Sequence, residues 1–122
     1  MEREHEEAMR ADFARWQAML DNTFPIETET ELEERTRADE TELRWSDGPY
    51  SAYWNYLNDA YEDWQRRPET MGRFLDSVDE DRAAGHFVGV TGVEYRSQLQ
   101  ARDLTAAERD RRQERPLRLR AR

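Results

Sequence analysis

Hydrophobic residues recur at helical spacing between residues 50 and 64. Placed at about 100° per residue, the large apolar side chains of this stretch fall within one arc of about 100°. They are Tyr50, Tyr53, Trp54, Leu57, Tyr61 and Trp64. Pro49 suits a first helical turn, and Pro68 stops the pattern after Arg66 and Arg67. The pattern predicts a helix with an aromatic face turned toward a core.

Residues 2–21 show the same periodicity, with Met9, Phe13, Trp16 and Leu20 forming one stripe. Asp12 interrupts the edge of this stripe, and we expect it to reach water or to pair with Arg15, three residues on. The two stripes together predict the centre of the core. Its members are Phe13, Trp16, Trp54, Leu57, Tyr61 and Trp64.

Two shorter helices are predicted further along the chain. Met71, Phe74, Leu75 and Val78 indicate a helix after Pro68 that stops by Gly85, a plausible C′ residue. Near the end, Thr105 and Glu108 have the spacing of a capping box. They predict a short final helix that Pro116 ends.

Other stretches alternate with the period of two that is typical of strands. Ile26–Leu32 and Thr41–Trp45 both alternate, which favours a hairpin with a polar loop at residues 35–40. His86–Tyr95 is β-branched and punctuated by glycine, and is predicted to be a third strand.

A helix over residues 26–45 is less favoured, although Thr28 or Thr30 could open a capping box. Leu32 and Leu43 align on such a helix, but polar residues lie between them. A solvated acidic linker is the other alternative. The predicted fold class is therefore α+β and predominantly helical, with a small antiparallel sheet packed by two amphipathic helices; an all-α bundle is the alternative.

Composition makes this core thin. The chain has 122 residues, enough for one small domain, and 39% are charged, against about 25% in ordinary globular domains. Four Trp, five Tyr and four Phe offset this, because large rings bury much area per residue. All 19 basic residues are arginine, which favours a source with a GC-rich genome. A virus or mobile element of a GC-rich host is the expected origin.

The charge is unevenly distributed along the chain. Residues 109–122 contain seven arginines against Asp110 and Glu114, for a net charge of +5. Because the whole chain has a net charge of −9, residues 1–108 carry a net charge of −14. We therefore predict an acidic globular domain at residues 1–108 and a basic, arginine-rich arm at residues 109–122.

No motif predicts catalysis, a metal or a cofactor. The absence of cysteine excludes thiolate chemistry and Cys-based zinc sites. The glycines of Gly85–Gly92 match no phosphate-binding pattern, and an EF-hand loop counted from Asp79 fails at its sixth position, Ala84. No signal peptide or membrane span is indicated, so we expect a cytoplasmic protein, or a virion-associated one if the source is viral.

The favoured function is non-catalytic protein–protein interaction or assembly, as an adaptor or structural protein. The partner is another protein or a second copy of this chain. The predicted partner-binding residues of the arm are Arg111, Arg112, Arg115, Arg118, Arg120 and Arg122. Trp45 and Tyr56 are weaker aromatic candidates, since tyrosine and tryptophan are enriched at interface hot spots.

The alternative function is an acidic inhibitor that mimics nucleic acid, with the carboxylates of residues 27–42 and 59–81 in place of phosphates. Direct nucleic-acid binding through the arm ranks lower, because the acidic body opposes it.

Overall fold

A computed structural model describes residues 1–22, 28–86 and 89–120, with the backbone alone for residues 21–22 and 114–120. These ranges contain five helices and no strand. They are α1 (Arg3–Asn22), α2 (Glu29–Ser46), α3 (Ser51–Arg66), α4 (Pro68–Ala83) and α5 (Gly92–Arg120). The predicted α+β class is wrong, and the fold is all-helical. None of the described helices combines the length and the apolar character needed to cross a bilayer.

The predicted hairpin is replaced by α2. Thr28 is the N-cap, and its hydroxyl oxygen accepts a hydrogen bond from the Glu31 N–H at 3.1 Å. Inside the helix, the Thr36 and Thr41 hydroxyls donate to the carbonyls of Leu32 and Arg37, four residues earlier. These local hydrogen bonds accommodate the β-branched threonines within a helix. The alternating sequence pattern gives no sign of them. Residues 26–27 of the predicted first strand lie outside the described ranges.

The predicted third strand is also wrong, because its second half is the start of α5. Thr91 and Glu94 form a reciprocal capping box: the Thr91 N–H donates to the Glu94 carboxylate at 2.9 Å, and the Glu94 N–H donates to the Thr91 hydroxyl oxygen at 3.2 Å. Gly89 has a φ of +97°, which favours glycine. Residues 87–88 lie outside the description.

The final helix is therefore longer than predicted at both ends. Thr105 is an interior residue, whose hydroxyl donates to the Ala101 carbonyl at 2.8 Å. The helix also continues past Pro116 to Arg120.

The chain divides into two compact units, Met1–Asn55 and Tyr56–Arg122. In the first unit, α1 packs against α2. Asp12 contacts Trp45, while His5, nearer the start of α1, contacts Tyr50, just after α2. The order of contacts is reversed between the two segments, so α1 and α2 are antiparallel.

The core of the first unit is a cluster of aromatic rings. Trp54 lies at its centre, stacked on Trp45 with ring centroids 6.2 Å apart and planes 7° apart. Phe13 meets Trp54 edge-on at 5.3 Å, and Trp16 lies 5.2 Å from it. Such pairs add about 0.5–1.5 kcal/mol each to the burial of their area. A few rings thus form a core in a chain with few aliphatic residues.

Asp12 joins α1 to α2 in this unit. One carboxylate oxygen accepts a hydrogen bond from Trp45 Nε1 at 2.8 Å and lies 3.6 Å from the Arg44 guanidinium. The other oxygen pairs with Arg15. The acidic residue that interrupts the apolar stripe of α1 therefore satisfies the indole N–H of a buried tryptophan.

The second unit contains most of α3, together with α4 and α5. Its buried residues on α3 and α4 are Leu57, Ala60, Tyr61, Trp64, Met71 and Leu75. The buried side of α5 differs from those of α3 and α4, because it consists of small and polar residues rather than large apolar ones. They are Ser97, Gln98, Ala101, Thr105 and Glu108.

The end of α4 has the geometry of a Schellman motif. Gly85 has a φ of +81° and donates its N–H to the Arg82 carbonyl, while the His86 N–H donates to the Asp81 carbonyl at 2.7 Å. Gly85 is thus the C′ residue of α4, the role expected from the sequence.

Candidate interaction surface

The side of α2 opposite its buried residues carries two exposed leucines. Ala38 and Trp45 are buried, whereas Leu32 is 55% and Leu43 63% exposed. Eleven residues make about three helical turns, so the two leucines share one line along the helix, about 16 Å apart. We call this side the outer face of α2. It comprises Leu32, Glu33, Thr36, Asp39, Glu40 and Leu43, all exposed.

An open groove runs along this outer face. Its volume is about 420 Å³, and it is lined by Leu32, Glu33, Thr36, Arg37 and Glu40. Apolar and anionic side chains therefore line one concave strip. A strip of this kind can take an apolar side chain from a partner while its carboxylates pair with cations beside it.

Two ion pairs on α2 lie along the helix itself. Arg35 lies 3.5 Å from Asp39, and Arg37 lies 3.9 Å from Glu33. Both are exposed i,i+4 pairs, which are worth about 0.3–0.5 kcal/mol and are readily exchanged for other partners. Glu40 forms no ion pair with any side chain in the described ranges, so the acidic character of the groove is only partly neutralised.

The two aromatic candidates lie in other environments. Trp45 is 8% exposed, stacks on Trp54 and donates its N–H to Asp12, so its ring belongs to the core. One edge of it reaches a pocket of about 200 Å³ that Arg44, Pro49 and Tyr50 also line.

Tyr56 is half-buried, and its hydroxyl accepts a hydrogen bond from Gln98 Nε2 at 3.0 Å. Gln98 Oε1 in turn accepts from Trp64 Nε1 at 2.9 Å. Burial raises the pKa of Tyr56; the Gln98 hydrogen bond opposes this, and the charge of Glu94 adds to it. Tyr56 is therefore part of a hydrogen-bond network with Gln98 and Trp64 in the second unit.

The arm begins with two arginines that are already paired. Arg111 and Arg112 contact the buried carboxylate of Glu108, at 2.5 Å and 3.1 Å. Burial alone would raise the pKa of Glu108, but hydrogen bonds and charge attraction from Arg111 and Arg112 outweigh it, so the pKa is lowered. Arg115, Arg118 and Arg120 lie on α5, and Arg122 lies outside the described ranges.

Within the described ranges, no group of three or more His, Asp or Glu side chains could hold a metal ion. Comparison of the chain with family models, curated proteins and solved structures finds no match.

The outer face of α2 is not predicted by the sequence. A signal for it is present, because Leu32 and Leu43 align on a helix. Since Thr36 and Asp39 lie between them, the apolar stripe is not continuous, and the alternating pattern favours strands instead.

Proposed function

We propose that this protein is a non-catalytic interaction protein that binds a protein partner through the outer face of α2. One observation carries the proposal: Leu32 and Leu43 are exposed on one line of a helix whose other side is packed. Singly exposed leucines are ordinary, but an aligned pair, of which Leu32 lines a groove, offers a partner two apolar anchors. Glu33 and Glu40, beside them, favour a partner with cationic side chains.

Arginines interrupt the acidic run of α2, which argues against the alternative of a nucleic-acid mimic. Arg35 and Arg37 lie within the acidic run and pair with its members. The phosphate backbone that such a mimic replaces is a row of anions with no covalently attached cations between them.

Position-specific cross-linking tests the proposed surface. A photo-reactive phenylalanine analogue replaces Thr36 in the groove, and in a control protein it replaces Glu80, which is exposed on α4. In extracts of the source organism, we expect adducts of defined mass from position 36 and not from position 80. Mass spectrometry should place the cross-link in an arginine-rich segment of the partner.

The double variant Leu32→Ser, Leu43→Ser removes both apolar anchors and should abolish the adducts from position 36. Phe74→Ser, at a partly exposed site on α4, is the matched control and should leave them. Because the three side chains are exposed, helix content should stay at the wild-type level by circular dichroism. Identical adducts from positions 36 and 80, or adducts that survive the double variant, would contradict the proposal.

A further inference from the structure

The last eight residues of the sequence are strongly cationic. Residues 115–122 contain four arginines and no acidic residue, for a net charge of +4. The two arginines just before them, Arg111 and Arg112, are engaged by the buried Glu108. Glu108 thus pairs with the first part of the arm, and residues 115–122 follow that part in the sequence.

The charge of α2 is equal and opposite. Residues 29–46 contain seven acidic residues and three arginines, for a net charge of −4. The outer face of this helix combines carboxylates with the exposed Leu32 and Leu43. Residues 115–122 combine arginines with Leu117 and Leu119. The two segments therefore match in charge and also in apolar content.

We propose that residues 115–122 of one copy bind the outer face of α2 of a second copy. This inference rests on the proposed function, whose partner it identifies as the same chain. The two surfaces are different, so the interface is heterologous, and a bound pair still offers one free arm and one free α2. Assembly is therefore head-to-tail, and it extends or closes into a ring rather than stopping at a two-fold dimer.

The interface is small and depends on charge, so it is reversible and sensitive to salt. The Debye length falls from about 30 Å at 0.01 M salt to about 3 Å at 1 M. At the lower salt concentration, light scattering coupled to size exclusion should give a mass above the 14.7 kDa of one chain. At the higher concentration the mass should return to that of one chain.

Charge exchange between two variants tests the pairing. The first variant carries Glu33→Arg and Glu40→Arg on α2, and the second carries Arg115→Glu, Arg118→Glu and Arg120→Glu in the arm. The first variant changes the net charge of the six outer-face residues from −3 to +1, and the second changes that of residues 115–122 from +4 to −2. Each variant alone therefore has an arm and an outer face of the same sign and should be monomeric at low salt. An equimolar mixture should regain a higher mass, because the unaltered arm of the first variant can bind the unaltered α2 of the second. The reversed α2 of the first also attracts the reversed arm of the second.

Glu62→Arg with Asp76→Arg is the matched control, since it makes the same charge change at exposed positions on α3 and α4. It should assemble as the wild type does. Self-association of the arm variant alone would overturn the proposal, as would self-association of the α2 variant alone or a mixture that stays monomeric. If self-assembly fails in any of these ways while the photo-reactive residue at position 36 still cross-links to a different protein, the proposed function stands without self-assembly.

Discussion

At the scale of single residues, two buried tryptophans differ in one respect. Trp64 donates its N–H to Gln98, whereas the N–H of Trp16 is buried without a hydrogen-bond partner in the described chain. Both rings are almost fully covered. The pair therefore separates the contribution of a hydrogen bond from that of ring burial.

Trp64→Phe should destabilise the protein more than Trp16→Phe. Both changes shrink a buried ring by a similar amount, but only the first leaves the Gln98 oxygen buried without a donor. The extra loss in the free energy of unfolding should be about 1–3 kcal/mol. Urea titration monitored by far-UV circular dichroism measures the free energy of unfolding of both variants, since this signal does not depend on the number of tryptophans. Equal losses would show that the Trp64 hydrogen bond contributes nothing net.

At the scale of helices, the start of α5 depends on a cap that lies inside a predicted strand. Thr91→Ala removes the hydroxyl oxygen that accepts from the Glu94 N–H and should cost about 1 kcal/mol. Thr91→Ser keeps that oxygen and should restore most of the stability. Urea denaturation gives the two free energies, and faster amide exchange at Glu94 in the alanine variant localises the effect. A serine variant as unstable as the alanine variant would contradict the capping role.

The sequence predicts those helices whose buried side consists of large apolar residues. Phe13 and Trp16 mark α1, Trp54 and Leu57 mark α3, and Met71 marks α4. In these helices the residues that pack are the ones that hydropathy weights most, so periodicity finds the packed side.

Hydrophobic periodicity does not predict the other two helices, α2 and α5, in the same way. The buried side of α5 contains Ser97, Gln98 and Thr105, and that of α2 contains Ala38, so neither has a stripe of large apolar residues. On α2 the aligned leucines lie on the exposed side instead. No apolar stripe therefore marks the packing face of α2, and the two exposed leucines of the candidate interaction surface do not form a continuous stripe either.

At the scale of the whole molecule, α3 belongs to both compact units. The boundary between Asn55 and Tyr56 falls inside this helix. Trp54, just before the boundary, is the centre of the aromatic cluster, while Leu57 and Trp64, just after it, are buried residues of the second unit. Because one hydrogen-bonded helix supplies core residues to both units, loss of either core removes the support of that helix for the other.

The chain should therefore unfold in one cooperative transition. Trp64→Phe makes tryptophan fluorescence a reporter of the first unit alone, since Trp16, Trp45 and Trp54 all lie there, whereas circular dichroism reports helices of both units. The two urea curves should coincide, as two-state unfolding requires.

Asn55→Gly, at an exposed position of α3, should cost about 1 kcal/mol relative to Asn55→Ala and shift both curves together. Fluorescence and circular dichroism midpoints that differ already in the Trp64→Phe protein would show that the units unfold independently. A shift of one curve alone in the glycine variant would show that α3 supports only one of them.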